Sequence, residues 1–164
     1  MPTNFLHATG TNGFIVTPFS LMTTELNSLA NGNTVVSSVG GTSGKFNQTN
    51  FGSAQIGRIW LTLGGNFGAT PAAGGNITGW WNFSTDGGTT FEDTNSNTAI
   101  PRPPDFIIPL VAAAYSASDV VYASGLILLP YETCKVWVQN NAGASASLAS
   151  SGNILTCGPV ADQY

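Results

Sequence analysis

Eight carboxylates, one histidine and two cysteines are nearly all that this 164-residue chain offers as acid, base, nucleophile or metal ligand. The histidine, His7, sits in a polar N-terminal arm, so neither a Ser-His-Asp triad nor a Cys-His dyad is expected. Two carboxylates suffice for glycoside hydrolysis, and Asp105 and Glu92 are the pair to test first. Neither lies in a sequence context that would raise a carboxyl pKa, and a glycan hydrolase is the weakest of the readings. Cys134 and Cys157 have no histidine neighbours and fall short of the four ligands of a zinc site. No catalytic residue, cofactor or metal site is expected, and the chain reads as a binding protein and not an enzyme.

The aromatic residues carry more information. In three segments a tryptophan takes the parity opposite to the aliphatic residues: Trp60 against Ile59 and Leu61, Trp80 against Trp81 and Phe83, Trp137 against Val136 and Val138. Side chains alternate faces along a strand. If the aliphatic face is the core, then Trp60, Trp80 and Trp137 share an outer face with Arg58, Thr62, Asn82, Lys135 and Gln139. Indoles beside polar groups have the composition of an interface centre, and at least one of the three is expected to be more than half exposed. The alternative is that another layer covers these strands and buries both faces. The run Ser84-Thr85-Asp86-Gly87-Gly88-Thr89-Thr90-Phe91 resembles the Asp-box hairpin, with Phe91 in the usual tryptophan position. There Asp86 caps the turn made at Gly87 and Gly88. A calcium site from Asp86, Glu92 and Asp93 is the competing assignment, since calcium needs several oxygens.

The elements that must hold these residues are strands. Only 7% of residues are charged, against about 25% in an average domain, while 42% are hydrophobic, so the chain folds. Gly, Asn, Ser and Thr disfavour helix interiors, whereas Val, Ile, Thr and the aromatics suit a pleated surface. Strands are expected over residues 14–22 (broken at Pro18), 34–39, 57–64, 77–84, 106–110, 120–129, 134–140 and 153–160, with 89–92 returning from the hairpin. Turn signals between them imply an antiparallel β-sandwich or barrel. A short helix is allowed only over 110–117 and 144–149, and helix content should stay under about 10%. Residues 1–13 read as an N-terminal arm and 14–164 as one domain.

The net charge of −4 and the scattering of Lys45, Arg58, Arg102 and Lys135 speak against nucleic acid, which is bound by clustered cations. No apolar run is long enough for a membrane helix, and the start lacks the pattern of a secretion signal, so a soluble protein made in a cytoplasm is expected. If the last two strands paired with each other, Val136 opposite Leu155 would put Cys134 opposite Cys157, and a cross-strand disulfide would be conceivable. Cytoplasmic synthesis favours free, buried thiols instead.

From Glu25 onward the chain resembles a family of tailed-phage virion proteins, the head decoration or cement proteins. The resemblance rests on the order of several segments: Glu25-Leu26-Asn27-Ser28-Leu29-Ala30-Asn31-Gly32, Arg58-Ile59-Trp60-Leu61-Thr62-Leu63-Gly64, and the hairpin Ser84 to Phe91. Further on come Arg102-Pro103-Pro104-Asp105-Phe106-Ile107-Ile108-Pro109-Leu110, Lys135-Val136-Trp137-Val138-Gln139-Asn140-Asn141-Ala142-Gly143, and the end from Ser151 to Tyr164. It implies a jelly-roll sandwich of about eight strands on the outer capsid surface of the virion, bridging major capsid protein subunits, often as a homo-oligomer. A tail, baseplate or fibre component that binds carbohydrate or a receptor is the alternative.

Overall fold

The computed structural model describes residues 17–38, 44–47, 49–52, 54–92, 102–143 and 145–160. The expected arm over 1–13 with His7, residues 14–16, Asp93 and the last four residues lie outside them. Nine strands form among the described residues: β1 Phe19–Met22, β2 Thr34–Val36, β3 Ile56–Thr62, β4 Asn76–Phe83, β5 Phe106–Pro109, β6 Val120–Tyr122, β7 Ile127–Leu128, β8 Cys134–Asn141 and β9 Ile154–Val160. The only helical turn among them is a 3-10 turn, Thr24–Leu26. The allowed helices at 110–117 and 144–149 do not form at the described positions.

The strands make two antiparallel sheets. Sheet A has the order β1-β9-β3-β6, with β7 also pairing β3; sheet B has the order β2-β8-β4-β5. The pairings are nested: β4 with β5, β3 with β6 and β7, β2 with β8, β1 with β9. It is as if one long hairpin, bent between β4 and β5, had been rolled up. The result is a β-sandwich whose core lies between the sheets. Ile59, Leu61, Leu155 and Cys157 point inward from sheet A, and Ile77, Trp81, Val136 and Val138 from sheet B, all nearly or wholly buried. Full burial of each aliphatic side chain contributes about 1.5–3 kcal/mol.

The one strand expected over 120–129 divides into β6 and β7. Ala123 N–H still donates to Ile59 O (2.9 Å), but Ser124 N–H turns away to Ile107 O (2.9 Å) on β5 of the other sheet. Trp81 Nε1 reaches back across the same side to Leu128 O (3.1 Å). The bulge thus ties the two sheets along one edge.

The supposed pairing of the last two strands is corrected: β8 and β9 belong to different sheets, where Cys134 sits opposite Phe83 and Cys157 opposite Ile59. Both thiols are free and buried.

Candidate functional site

The parity argument holds in all three tryptophan strands, but the inference from it to exposure fails on sheet B. Trp80 and Trp137 sit directly opposite each other on β4 and β8, on the face turned away from the core. Yet they are only 5% and 1% exposed. This outer face is covered. Part of the cover is the segment entering β5: Trp80 Nε1–H donates to Arg102 O (3.0 Å). Part is the hairpin 84–91, whose Phe91 ring lies 5.0 Å beneath Lys135 Nζ. Thus Lys135, expected on an open surface, is half-buried against an aromatic ring. The expectation of one indole more than half exposed is not met, since Trp60 is half-buried as well.

Sheet A is built differently. Its outer face carries Ile56, Arg58, Trp60 and Thr62 of β3, Ile154 and Val160 of β9, Val120 and Tyr122 of β6 and Leu128 of β7, as the register requires. Leu128 is 76% exposed, Tyr122 54% and Val120 41%. Trp60 pairs with Tyr122, their ring centroids 6.2 Å apart and tilted by 42°. The indole lies over Gly158, where a Cβ would come within 2.8 Å of its Cζ3. A side chain at position 158 would push the ring off the sheet. Arg58, exposed, brings the face its only charge from these strands. The structure therefore brings Trp60 and Arg58 together on an open apolar face, and places Trp80, Trp137 and Lys135 on a covered one.

The hairpin of Asp86, Gly87 and Gly88 is a capped turn. Asp86 Oδ1 accepts from Thr89 N–H (2.9 Å), Thr90 N–H (2.6 Å) and Ser84 Oγ–H (3.2 Å). Ser84 Oγ in turn accepts from Gly88 N–H (2.5 Å), and Ser84 bridges to Phe91 to close the loop. The amide of Thr90, with its hydroxyl, holds the Asp86 carboxyl below the ordinary carboxylate value, and the Thr89 amide and Ser84 add to the effect. Both glycines have positive φ, 70° and 112°. No three His, Cys, Asp or Glu side chains gather into a cation site among the described residues.

The two carboxylates singled out for acid–base work are parted. Glu92 lines an open cleft of about 710 Å³ with Glu132 and Tyr131. Asp105 has no part in that lining; its Oδ2 accepts from Trp81 N–H (2.8 Å) and pairs with Arg102 Nη1 (3.0 Å).

Sequence reasoning missed Tyr122, Leu128 and Val120 as partners of Trp60. Their signal was present in the run Val120 to Leu129, but its two short apolar stretches on either side of Ser124-Gly125 show no parity of their own. It also missed Lys45, which the fold brings beside Lys135. Compared with family models, with curated proteins and with solved structures, the chain matches none.

Proposed function

We propose that this protein is a structural virion component that binds the outer capsid surface and cements neighbouring major capsid protein subunits, with the outer face of sheet A as its contact surface. The observation that carries the reading is the open apolar face around Trp60 and Tyr122, bearing one charge from its strands. Isolated monomers rarely keep a contiguous apolar patch of this kind, and a central aromatic ringed by smaller apolar groups is how interface energy concentrates. The nested strand order supports a jelly-roll type of sandwich, an architecture common among capsid domains. Self-association through the same face is part of the proposal.

With so few charges, attachment rests on apolar burial and backbone or amide hydrogen bonds, which salt does not screen. The test is rebinding of purified protein to capsids stripped of it. Binding should saturate in proportion to capsid subunits and survive about 1 M NaCl, where the screening length is roughly 3 Å. Trp60→Ala should weaken it by roughly thirtyfold, as expected for a lost central indole, with the fold intact. Release by salt, a few copies per particle, or unchanged occupancy of the variant would each refute the proposal.

A second reading rests on the same aromatic pair. Exposed rings also stack on sugar faces, and a receptor-binding tail or fibre part would use Trp60 and Tyr122 in that way. A few copies per particle, together with retention on immobilised glycan that Tyr122→Ala abolishes, would favour it.

A further inference from the structure

A second site lies on the opposite side of the sandwich, in a cleft of about 420 Å³ between the hairpin 84–91 and the outer face of sheet B. Its walls include Lys45, Lys135, Phe91, Val36 and Trp137. We propose that this cleft is a carboxylate-binding site, in which Lys45 and Lys135 receive the anion and the Trp137 indole N–H is the buried donor. The inference does not depend on the capsid reading, which concerns the other sheet.

Three independent observations carry it. The first is charge placement. The chain has four cationic side chains, and two of them line this one cleft, with no carboxylate among the described residues of its walls. Of the described acids on the hairpin side, Asp86 Oδ1 accepts from the Thr89 and Thr90 amides, and Glu92 lines the other cleft. Among the described residues the only ion pair is Arg102–Asp105.

The second is register. Phe46 bridges antiparallel to Cys134, which sets Lys45 across from Lys135. Like charges directly opposite across strands are destabilising, and an anion between them reverses the sign of that interaction.

The third is an unmet donor. Trp80 Nε1 and Trp81 Nε1 both find carbonyl acceptors. Trp137 Nε1, on a residue 1% exposed, is the one buried side-chain donor among the described residues that has none. Leaving such a group unsatisfied is costly, and Trp137 is one of the residues that line the cleft the oxyanion would enter.

Two ammonium groups and one N–H match the lone pairs of a single carboxylate. The rings of Phe91 and Trp137 and the side chain of Val36 give an apolar wall for the methylenes that carry it. The carboxylate can come from an acidic side chain of a docked protein or from a free small acid. The two sources are separable.

The test follows the Trp137 indole N–H resonance of the intact protein, assigned through its own NOEs, during titrations at constant ionic strength. The probes are sodium acetate, the peptide acetyl-Gly-Glu-Gly-amide, its glutamine counterpart and inorganic phosphate. The expected result is a saturable shift with the glutamate peptide in the millimolar range (about 1–10 mM) and none with the glutamine peptide. Lys135→Gln should weaken binding on the order of tenfold, and the Lys45→Gln/Lys135→Gln pair should abolish it without lowering the melting temperature. Acetate acting at the same concentration as the peptide assigns the site to free small acids; a clear preference for the peptide assigns it to a protein side chain. The proposal is overturned if neither carboxylate moves the resonance, if phosphate binds more tightly than both, or if the double variant responds like the parent.

Discussion

Replacing Asp105 with alanine should cost the fold about 2 kcal/mol, for a reason that begins with two prolines. On β5, Ile107 pairs with Thr78 and Phe106 with Gly79, and Asp105 N–H also donates to Gly79 O (2.9 Å); the residues before it, Pro104 and Pro103, have no N–H to give Trp81. Side chains replace the missing strand. Asp105 Oδ2 accepts the Trp81 N–H at 2.8 Å, and Arg102 Nη2 donates to Trp81 O. Arg102 Nη1 and Asp105 Oδ2, 3.0 Å apart, hold the two groups to each other. Truncation to alanine leaves the amide of a buried residue without its acceptor, a loss of about 1–3 kcal/mol. The freed guanidinium is about a third exposed, 34%, so water compensates it and the ion pair itself adds little. For a chain of this length the melting temperature should fall by roughly 4–8 °C. Asp105→Asn keeps an acceptor of the same shape and should lose about half as much. Urea denaturation of the three proteins gives the comparison. If Asp105→Ala stays within about 0.5 kcal/mol of the parent, the scatter of ordinary surface changes, then the Trp81 amide does not depend on this carboxylate and the side-chain strand is decorative.

Three further outcomes are expected. Gly79→Ala would place a Cβ 1.9 Å from Phe106 Cζ in the core, so it should destabilise at or above the upper end of the roughly 1–3 kcal/mol typical of overpacking, and Phe106→Leu in the same chain should recover part of the loss in a denaturant titration. Burial pushes the Cys134 and Cys157 thiols up to about 12, so neither should react with a thiol reagent until the protein is unfolded. Because unfolded thiols ionise first, stability should fall as pH rises above their ordinary value of 9.0 toward about 12, less steeply in a variant lacking both. For Asp86 the sign is opposite: its carboxyl is depressed from 3.8, so protection of the Thr89 and Thr90 amides from hydrogen exchange should be full above that value and fade as pH falls through the lower folded value; Asp86→Ala should abolish the protection at every pH.

Strand positions were legible because each strand carries its own signal. Ile59, Leu61 and Leu63 alternate with Arg58, Trp60 and Thr62, and β3 lies there; Val136 and Val138 mark β8 in the same way. Which strands lie side by side was less legible. The last two share no sheet because pairing is decided by the roll of the whole chain, and β9 finds its partners in β1 and β3, far earlier in sequence. The bulge between β6 and β7 was hidden for a related reason: Ser124 leaves its strand to bond Ile107, a partner in the other sheet.

The same distinction separates the three tryptophans. Parity is local, and it correctly set Trp60, Trp80 and Trp137 away from the core. Cover is non-local. Trp80 is capped by the carbonyl of Arg102, and Trp137 walls a cleft flanked by the hairpin that begins at Ser84; nothing within β4 or β8 records that those segments fold back. The asymmetry that results bears on function. The chain folds its own hairpin and proline segment over sheet B, where two indoles would otherwise meet water. Over β3, β6 and β7 the described residues lay no such cover, and Leu128, Tyr122 and Val120 stay exposed around Trp60. Closing an apolar face is favourable at roughly 25 cal/mol per Å², so a face left open beside one that is closed is where an external partner has most to gain.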